Sequence, residues 1–169
     1  MLIIFSGLPG TGKSTIAQAL AAKRSAAYVR VDEIEHALAQ DENMGRDIGP
    51  AGYLVAYAIA SSNLRLGMDV VADSVNPVPE SRQGWRDVAN SAAVPFAEIE
   101  LICSDPDEHR RRIEGRTADI PGFTLPTWAS VQTHEYVPWT TDRLVIDTAV
   151  HGANEAVAKI EEYLSAIDR

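Results

Sequence analysis

Eight residues near the amino end, Gly7-Leu8-Pro9-Gly10-Thr11-Gly12-Lys13-Ser14, constrain this chain more than any other feature. They fit the pattern G-x-x-x-x-G-K-[ST] at every specified position. The glycines let the backbone curl so that successive N–H groups point at phosphate oxygens. A helix opening at Lys13 adds the positive end of its dipole. The Lys13 ammonium then reaches the outer phosphates of a nucleotide, and the Ser14 hydroxyl is placed to ligate Mg²⁺. The flanks agree with this: the apolar run Leu2–Ser6 precedes the loop, and Lys13–Arg24 carries Ile16, Ala17, Leu20 and Ala21 on one face. The expectation is a site for ATP and Mg²⁺ in which Gly7, Leu8, Pro9, Gly10, Thr11, Gly12, Lys13, Ser14 and Thr15 hold the nucleotide. A ligand-free glycine-rich turn is the bland alternative.

Beyond the loop, short apolar runs alternate with longer helical patterns, the signature of a parallel sheet covered by helices. The strand candidates are residues 2–6, 27–31, 69–73, 96–103 and 144–146, read as continuous apolar runs because both sheet faces are covered. Helices are expected at 13–24, at 53–66 (apolar on most sides and so well buried), at 79–93 and at 153–167. The segment 105–116 opens with an Asp105 cap and Glu108 three residues on. Only Ile113 is strongly apolar within it, so this helix is expected to stand proud of the core. Residues 117–141 are irregular, punctuated by Pro121, Gly122, Pro126 and Pro138, and a connection of that length usually carries function. The reading is one domain over 1–169 with a lid region at about 105–141.

The chain has 24 acidic against 15 basic side chains, a net charge of −9. That weighs against a surface built for a nucleic-acid backbone, which needs clustered excess Lys and Arg. The single cysteine, Cys103, excludes an internal disulfide and reads as a buried strand thiol. The histidines at 36, 109, 134 and 151 show no metal-ligand spacing and read as incidental. Residues 1–5 are apolar but lack a basic flank and are too short for a signal peptide or a membrane span. A cytoplasmic protein without membrane association, a monomer or homodimer, is expected.

Several acids and arginines are candidates for the chemistry. Asp32 ends the second apolar run, where the carboxyl ends of parallel strands form the ligand crevice. It is placed either to orient or deprotonate an attacking hydroxyl or simply to cap the next helix. Asp73 ends the third run and is a candidate for holding Mg²⁺ through water. Asn76 and Arg82 follow, Arg82 reading as a solvated helix position. Arg110, Arg111, Arg112 and Arg116 suggest an anion site, and Arg112 and Arg116 share a face one turn apart. Trp85 reads as core, and Trp128 and Trp139 as packing or pocket lining.

With those motifs in order, Gly-Leu-Pro-Gly-Thr-Gly-Lys-Ser-Thr, Arg-Val-Asp, Val-Val-Ala-Asp-Ser-Val-Asn-Pro, Asp-Pro-Asp-Glu-His-Arg-Arg-Arg and Leu-Val-Ile-Asp-Thr-Ala, the chain resembles the zeta-toxin, chloramphenicol-phosphotransferase and gluconate-kinase side of the P-loop kinases. The kinase module of polynucleotide kinases is similar too. The resemblance implies a three-layer α/β/α sandwich with a five-stranded parallel sheet of order 2-3-1-4-5 and a helical lid. It also implies an acid at Asp32 acting on the hydroxyl, lid arginines near Arg112 and Arg116, and an adenine-side loop around 147–149. The third strand departs from a longer Walker-B pattern by ending in Asp73-Ser74. The region 33–53 carries Glu33, Glu35, Asp41, Glu42 and Asp47 against Arg46, so a neutral or cationic hydroxyl acceptor is expected. A small-molecule kinase is the leading reading, with catalytic Lys13, Asp32, Arg112 and Arg116, and Ser14 and Asp73 at the metal. A 5′-hydroxyl nucleic-acid kinase and a nucleotide-dependent ATPase or switch module are the alternatives.

Overall fold

In the computed structural model, which describes residues 1–41 and 48–167, the apolar runs form five strands: β1 (Leu2–Ser6), β2 (Ala27–Arg30), β3 (Val70–Asp73), β4 (Phe96–Ile102) and β5 (Leu144–Asp147). They make one parallel sheet in the order β2-β3-β1-β4-β5, as expected. β1 is central, with Ile4 beside Ala72 on one side and Glu98 on the other. It is buried along its whole length, which is why its run needs no polar alternation.

The helices are α1 (Lys13–Arg24), α2 (Val31–Ala39), α3 (Ala51–Arg65), α4 (Pro79–Ala92), α5 (Pro106–Gly115), α6 (Trp128–Gln132) and α7 (Ala153–Ile167). The two-residue period of β1 splits it between two cores. Ile3 and Phe5 join Ile99, Leu101 and Ile146 under α1 and α7. Leu2 and Ile4 join Val70, Ala72 and Trp85 under α3 and α4. Among the described residues no helix is long and apolar enough to cross a membrane.

Several expectations need correction. β4 alternates: Ala97, Ile99 and Leu101 enter one core, while Glu98 and Glu100 lie buried on the opposite face. Glu98 accepts from Arg86, and Glu100 accepts from Arg143 Nε at 2.6 Å and the Tyr136 hydroxyl at 3.0 Å. Pairing each buried carboxylate makes that face tolerable. Second, α3 buries only a narrow strip of Gly52, Ala56, Ala60 and Leu64, and leaves Leu54 61% exposed and Leu66, its C-cap, 79% exposed. Third, Arg82 is not solvated: it is 3% exposed, donates to the carbonyls of Asn76 and Val137, and lies 4.1 Å from the Trp139 ring centre. Burial lowers its pKa from the ordinary arginine value. It straps the 136–143 segment to the end of α4, and Trp139 packs there rather than in a pocket. Fourth, α5 does not stand proud, because His109 and Ile113 are both buried. Cys103 lies just past β4 and is only half-buried.

Candidate active site

The loop between β1 and α1 is shaped by glycine where no other residue fits. Gly7 has φ 143° and a Cβ there would fall on the Leu101 carbonyl. Gly10 has φ 83° and a Cβ would come within 2.5 Å of Ile113 Cδ1. Thr11 Oγ1 closes the turn on the Leu8 carbonyl at 2.9 Å. His109, three residues after its helix starts, places Nε2 2.7 Å from the Pro9 carbonyl, so that nitrogen carries the proton and donates. Its ring also meets Trp128 edge-on. His109 is therefore not incidental: with Ile113, four residues on, it clamps α5 onto the loop. That i, i+4 spacing was the legible signal for it.

Lys13 and Asp73 meet across 60 residues of chain. Lys13 Nζ donates to Asp73 Oδ1 at 2.5 Å, and the Tyr28 hydroxyl donates to Oδ2 at 2.6 Å. Burial works to raise the Asp73 pKa, but the Lys13 charge and the hydrogen bonds of Lys13, Tyr28 and Ser14 hold it below the ordinary value. Tyr28, buried beside that carboxylate, is pushed well up and keeps its proton. Asp73 is thus an anion beside the Ser14 hydroxyl, and this pair of hard oxygen donors suits Mg²⁺. Among the described residues there is no group of three or more His, Cys, Asp or Glu able to hold a metal unaided.

Asp32 lies one residue inside α2, whose N-cap is Arg30 without a side-chain cap bond. The capping alternative therefore falls away. Asp32 lines a cavity of about 740 Å³ together with Lys13, Ser14, Glu35, Arg112 and Arg116. Glu35, one turn along the same helix, packs against Gly52 of α3. Burial and then the neighbouring Asp32 charge push its pKa from 4.5 up to about 7. Glu42, Arg46 and Asp47 lie outside the described residues; among the described residues the acids that line the cavity are Asp32, Glu35 and Asp119.

The arginines separate by partner. Arg110 and Arg111 are exposed and pair with Glu114 and Glu108 on their own helix. Arg112 donates Nε to Glu108 at 2.7 Å and also reaches from α5 to the loop after β5, donating Nη1 to Thr148 Oγ1 at 2.8 Å and Nη2 to the Thr148 carbonyl at 2.9 Å. Thr148 Oγ1 lies 2.8 Å from the Thr11 carbonyl, so phosphate loop, α5 and the 147–149 loop converge. Arg116 donates to Asp119 at 3.2 Å. The same Asp119 accepts from Arg30 at 2.5 Å, and the Arg30 hydrogen bond is the leading reason its pKa falls to about 2. Arg30 stood out in the sequence only as a charge inside an apolar run, and Asp119 sat in the irregular region without any pattern. Asn76 is buried but points away from the cavity: Nδ2 donates to the Phe5 carbonyl and Ser6, while Oδ1 accepts from Trp85 Nε1 at 3.0 Å.

Comparison with known proteins agrees with this geometry. A family model described as an AAA domain matches residues 2–130. The adenylyl-sulfate kinase of Shewanella sp. strain W3-18-1 is 25% identical over 178 residues, spanning 99% of this chain and 83% of the relative. The structure of the Mycobacterium tuberculosis APS kinase CysC in complex with AMPPNP and APS superposes with a TM-score of 0.74 at 20% identity, covering 97% of this chain and 96% of that one. A gluconokinase from Sinorhizobium meliloti 1021 superposes with a TM-score of 0.64 at 18% identity, covering 96% and 94%. Both solved structures share this fold with the chain.

Proposed function

The chain belongs to the AAA domain family and is a phosphotransferase of the P-loop kinase type, and from that premise we propose that it transfers the γ-phosphoryl group of Mg-ATP to a hydroxyl of a neutral or cationic small molecule. The observation that carries this reading is a complete phosphate loop whose Lys13 heads a cavity that also holds Asp32. In the proposed reaction the acceptor oxygen attacks the γ-phosphorus while the bond to the β,γ-bridging oxygen breaks, releasing ADP. Asp32 orients the hydroxyl and accepts its proton. Lys13 and Arg112 bind the phosphates, Arg116 supports charge as it redistributes, and residues 7–15 hold the nucleotide through backbone N–H groups. Ser14 and Asp73 would hold Mg²⁺, which when bound neutralises charge on the β- and γ-oxygens. Residues 1–169 act as one kinase domain, and the region at about 105–141 acts as its lid, excluding water.

The cavity is lined by the acids Asp32, Glu35 and Asp119, which supports an acceptor without a phosphate or sulfate of its own. The relatives favour a second reading, since adenylyl sulfate is an anion. The test is coupled ADP release with Mg-ATP against sugars, amino sugars, nucleosides, 5′-hydroxyl oligonucleotides and adenylyl sulfate. We expect turnover with a neutral or amine-bearing acceptor, and a loss of at least about 100-fold in kcat for Asp32→Ala with ATP binding retained. Turnover with adenylyl sulfate alone would transfer the assignment to the second reading. Hydrolysis that no acceptor stimulates would leave an ATPase.

A further inference from the structure

Glu35 takes no part in the reaction as described, yet it lines the same cavity as Lys13 and Asp32. It follows Asp32 by three residues on α2, so the two carboxyl groups share a helix face. The acids of the cavity differ in their partners. Asp119 accepts from Arg30 and Arg116, and Asp32 has Arg30 Nη2 3.9 Å away. Glu35 makes no ion pair or hydrogen bond among the described residues. The cations of the cavity are engaged elsewhere: Lys13 on Asp73, Arg112 on Glu108 and Thr148, Arg116 on Asp119.

The place of Glu35 is fixed by its neighbour on α3. Gly52 is buried, and a Cβ there would collide with Glu35 Cγ and lie 2.9 Å from Oε1. Any side chain at 52 would push the carboxyl group aside. A half-buried carboxylate beside a second one, with no cation of its own, costs free energy until a positive group arrives. A metal held by the protein alone does not fit, since no group of three or more His, Cys, Asp or Glu able to hold one occurs among the described residues. An ammonium fits, because its three donors can serve both carboxylates at once.

We propose that Glu35 is a specificity residue that binds an ammonium group of the acceptor, so that the substrate class is an amino sugar or amino alcohol whose hydroxyl meets Asp32 while its amine meets Glu35. This rests on the kinase reading above. Residues three apart on a helix hold their Cβ atoms about 5–6 Å apart, so the amine and the reacting hydroxyl belong close together on the acceptor.

The experiment measures coupled ADP release with Mg-ATP in the full chain at about pH 7.5, where most of the Glu35 carboxyl is ionised. Each amine is paired with a neutral counterpart: glucosamine with glucose, glucamine with sorbitol, and kanamycin with its N-acetylated form. In the wild type the amine of at least one pair is used with a kcat/KM about tenfold or more above its counterpart, the usual worth of a hydrogen bond to a charged group. In Glu35→Gln that ratio falls below about twofold, while calorimetry with AMP-PNP reports an intact nucleotide site. Should Glu35→Gln fail to fold, Gly52→Ala displaces the carboxyl without removing its charge, and the ratio falls in the same direction.

A structural role alone would lower the use of both members of a pair alike and leave the ratio unchanged. That result, or equal use of both members by the wild type, or turnover confined to neutral acceptors, overturns the inference and leaves the kinase reading intact. Turnover with adenylyl sulfate alone overturns it together with the neutral or cationic acceptor class. Hydrolysis that no acceptor stimulates overturns both the inference and the kinase reading.

Discussion

Glu35 shows how one side chain links stability to acceptor choice. Its pKa stands at about 7 against an ordinary 4.5, because it is partly buried and lies near Asp32. Between those two values the native state holds a proton that the unfolded chain has released, so stability falls as pH rises from about 4.5 to 7. Glu35→Gln keeps the neutral form at every pH and removes that slope. Urea midpoints of variant and wild type are expected to coincide near pH 4, with the variant about 1 kcal/mol more stable near pH 7.5 after allowing for solvent screening. Affinity for a cationic acceptor has the opposite trend in the wild type: it strengthens as pH passes about 7 and the carboxyl ionises. Asn76 is the contrasting case, a residue whose importance is structural. With φ 51° it anchors β1, α4 and Arg82 at once. Asn76→Ala strands the Trp85 indole N–H in a buried place, and chemical denaturation should record a loss of about 3 kcal/mol.

At the scale of elements, α5 carries the most information for its length. Asp105 caps it, accepting from the backbone N–H groups of Asp107 and Glu108 at 3.0 and 3.1 Å, as the Asp-Pro-Asp-Glu pattern predicts. Its seat on the phosphate loop rests on His109 and Ile113 rather than on a broad apolar face. Ile113→Ala is expected to cost about 2–4 kcal/mol, and to raise the ATP KM more than it lowers kcat. Gly10→Ala attacks the same contact from the loop side, where a positive φ and the Ile113 side chain both oppose a Cβ. Equilibrium binding of AMP-PNP should weaken by about tenfold or more; unchanged binding would show that α5 yields without disturbing the loop.

For the molecule as a whole, the site is assembled only when distant pieces close on one another. Saturating nucleotide at 100 times its dissociation constant adds about 2.7 kcal/mol. For a domain of this size that raises the midpoint of thermal unfolding by about 5–10 °C, a shift that Lys13→Ala should abolish. Arg82 tests closure on the far side of the sheet. Arg82→Met leaves the carbonyls of Asn76 and Val137 without their donor and should lower stability by about 2–4 kcal/mol, with AMP-PNP binding changed far less.

Much of this was written locally. The phosphate loop, the helix after it and the Asp105 cap depend on neighbours within a few residues, so spacing alone determines them. The apolar runs identify all five strands for the same reason, although β4 hides two buried glutamates that only their partners make tolerable. The Asp32 position was legible as a strand end, whereas its place inside the first turn of α2 was not. What only the tertiary structure decided is which charges meet. Lys13 and Asp73 lie 60 residues apart, Arg30 and Asp119 lie 89 apart, and His109 and Pro9 lie 100 apart. Periodicity records which face a residue occupies, but not which distant polar group arrives to satisfy it. A buried charge is stable only with such a partner, so its meaning belongs to the closed chain.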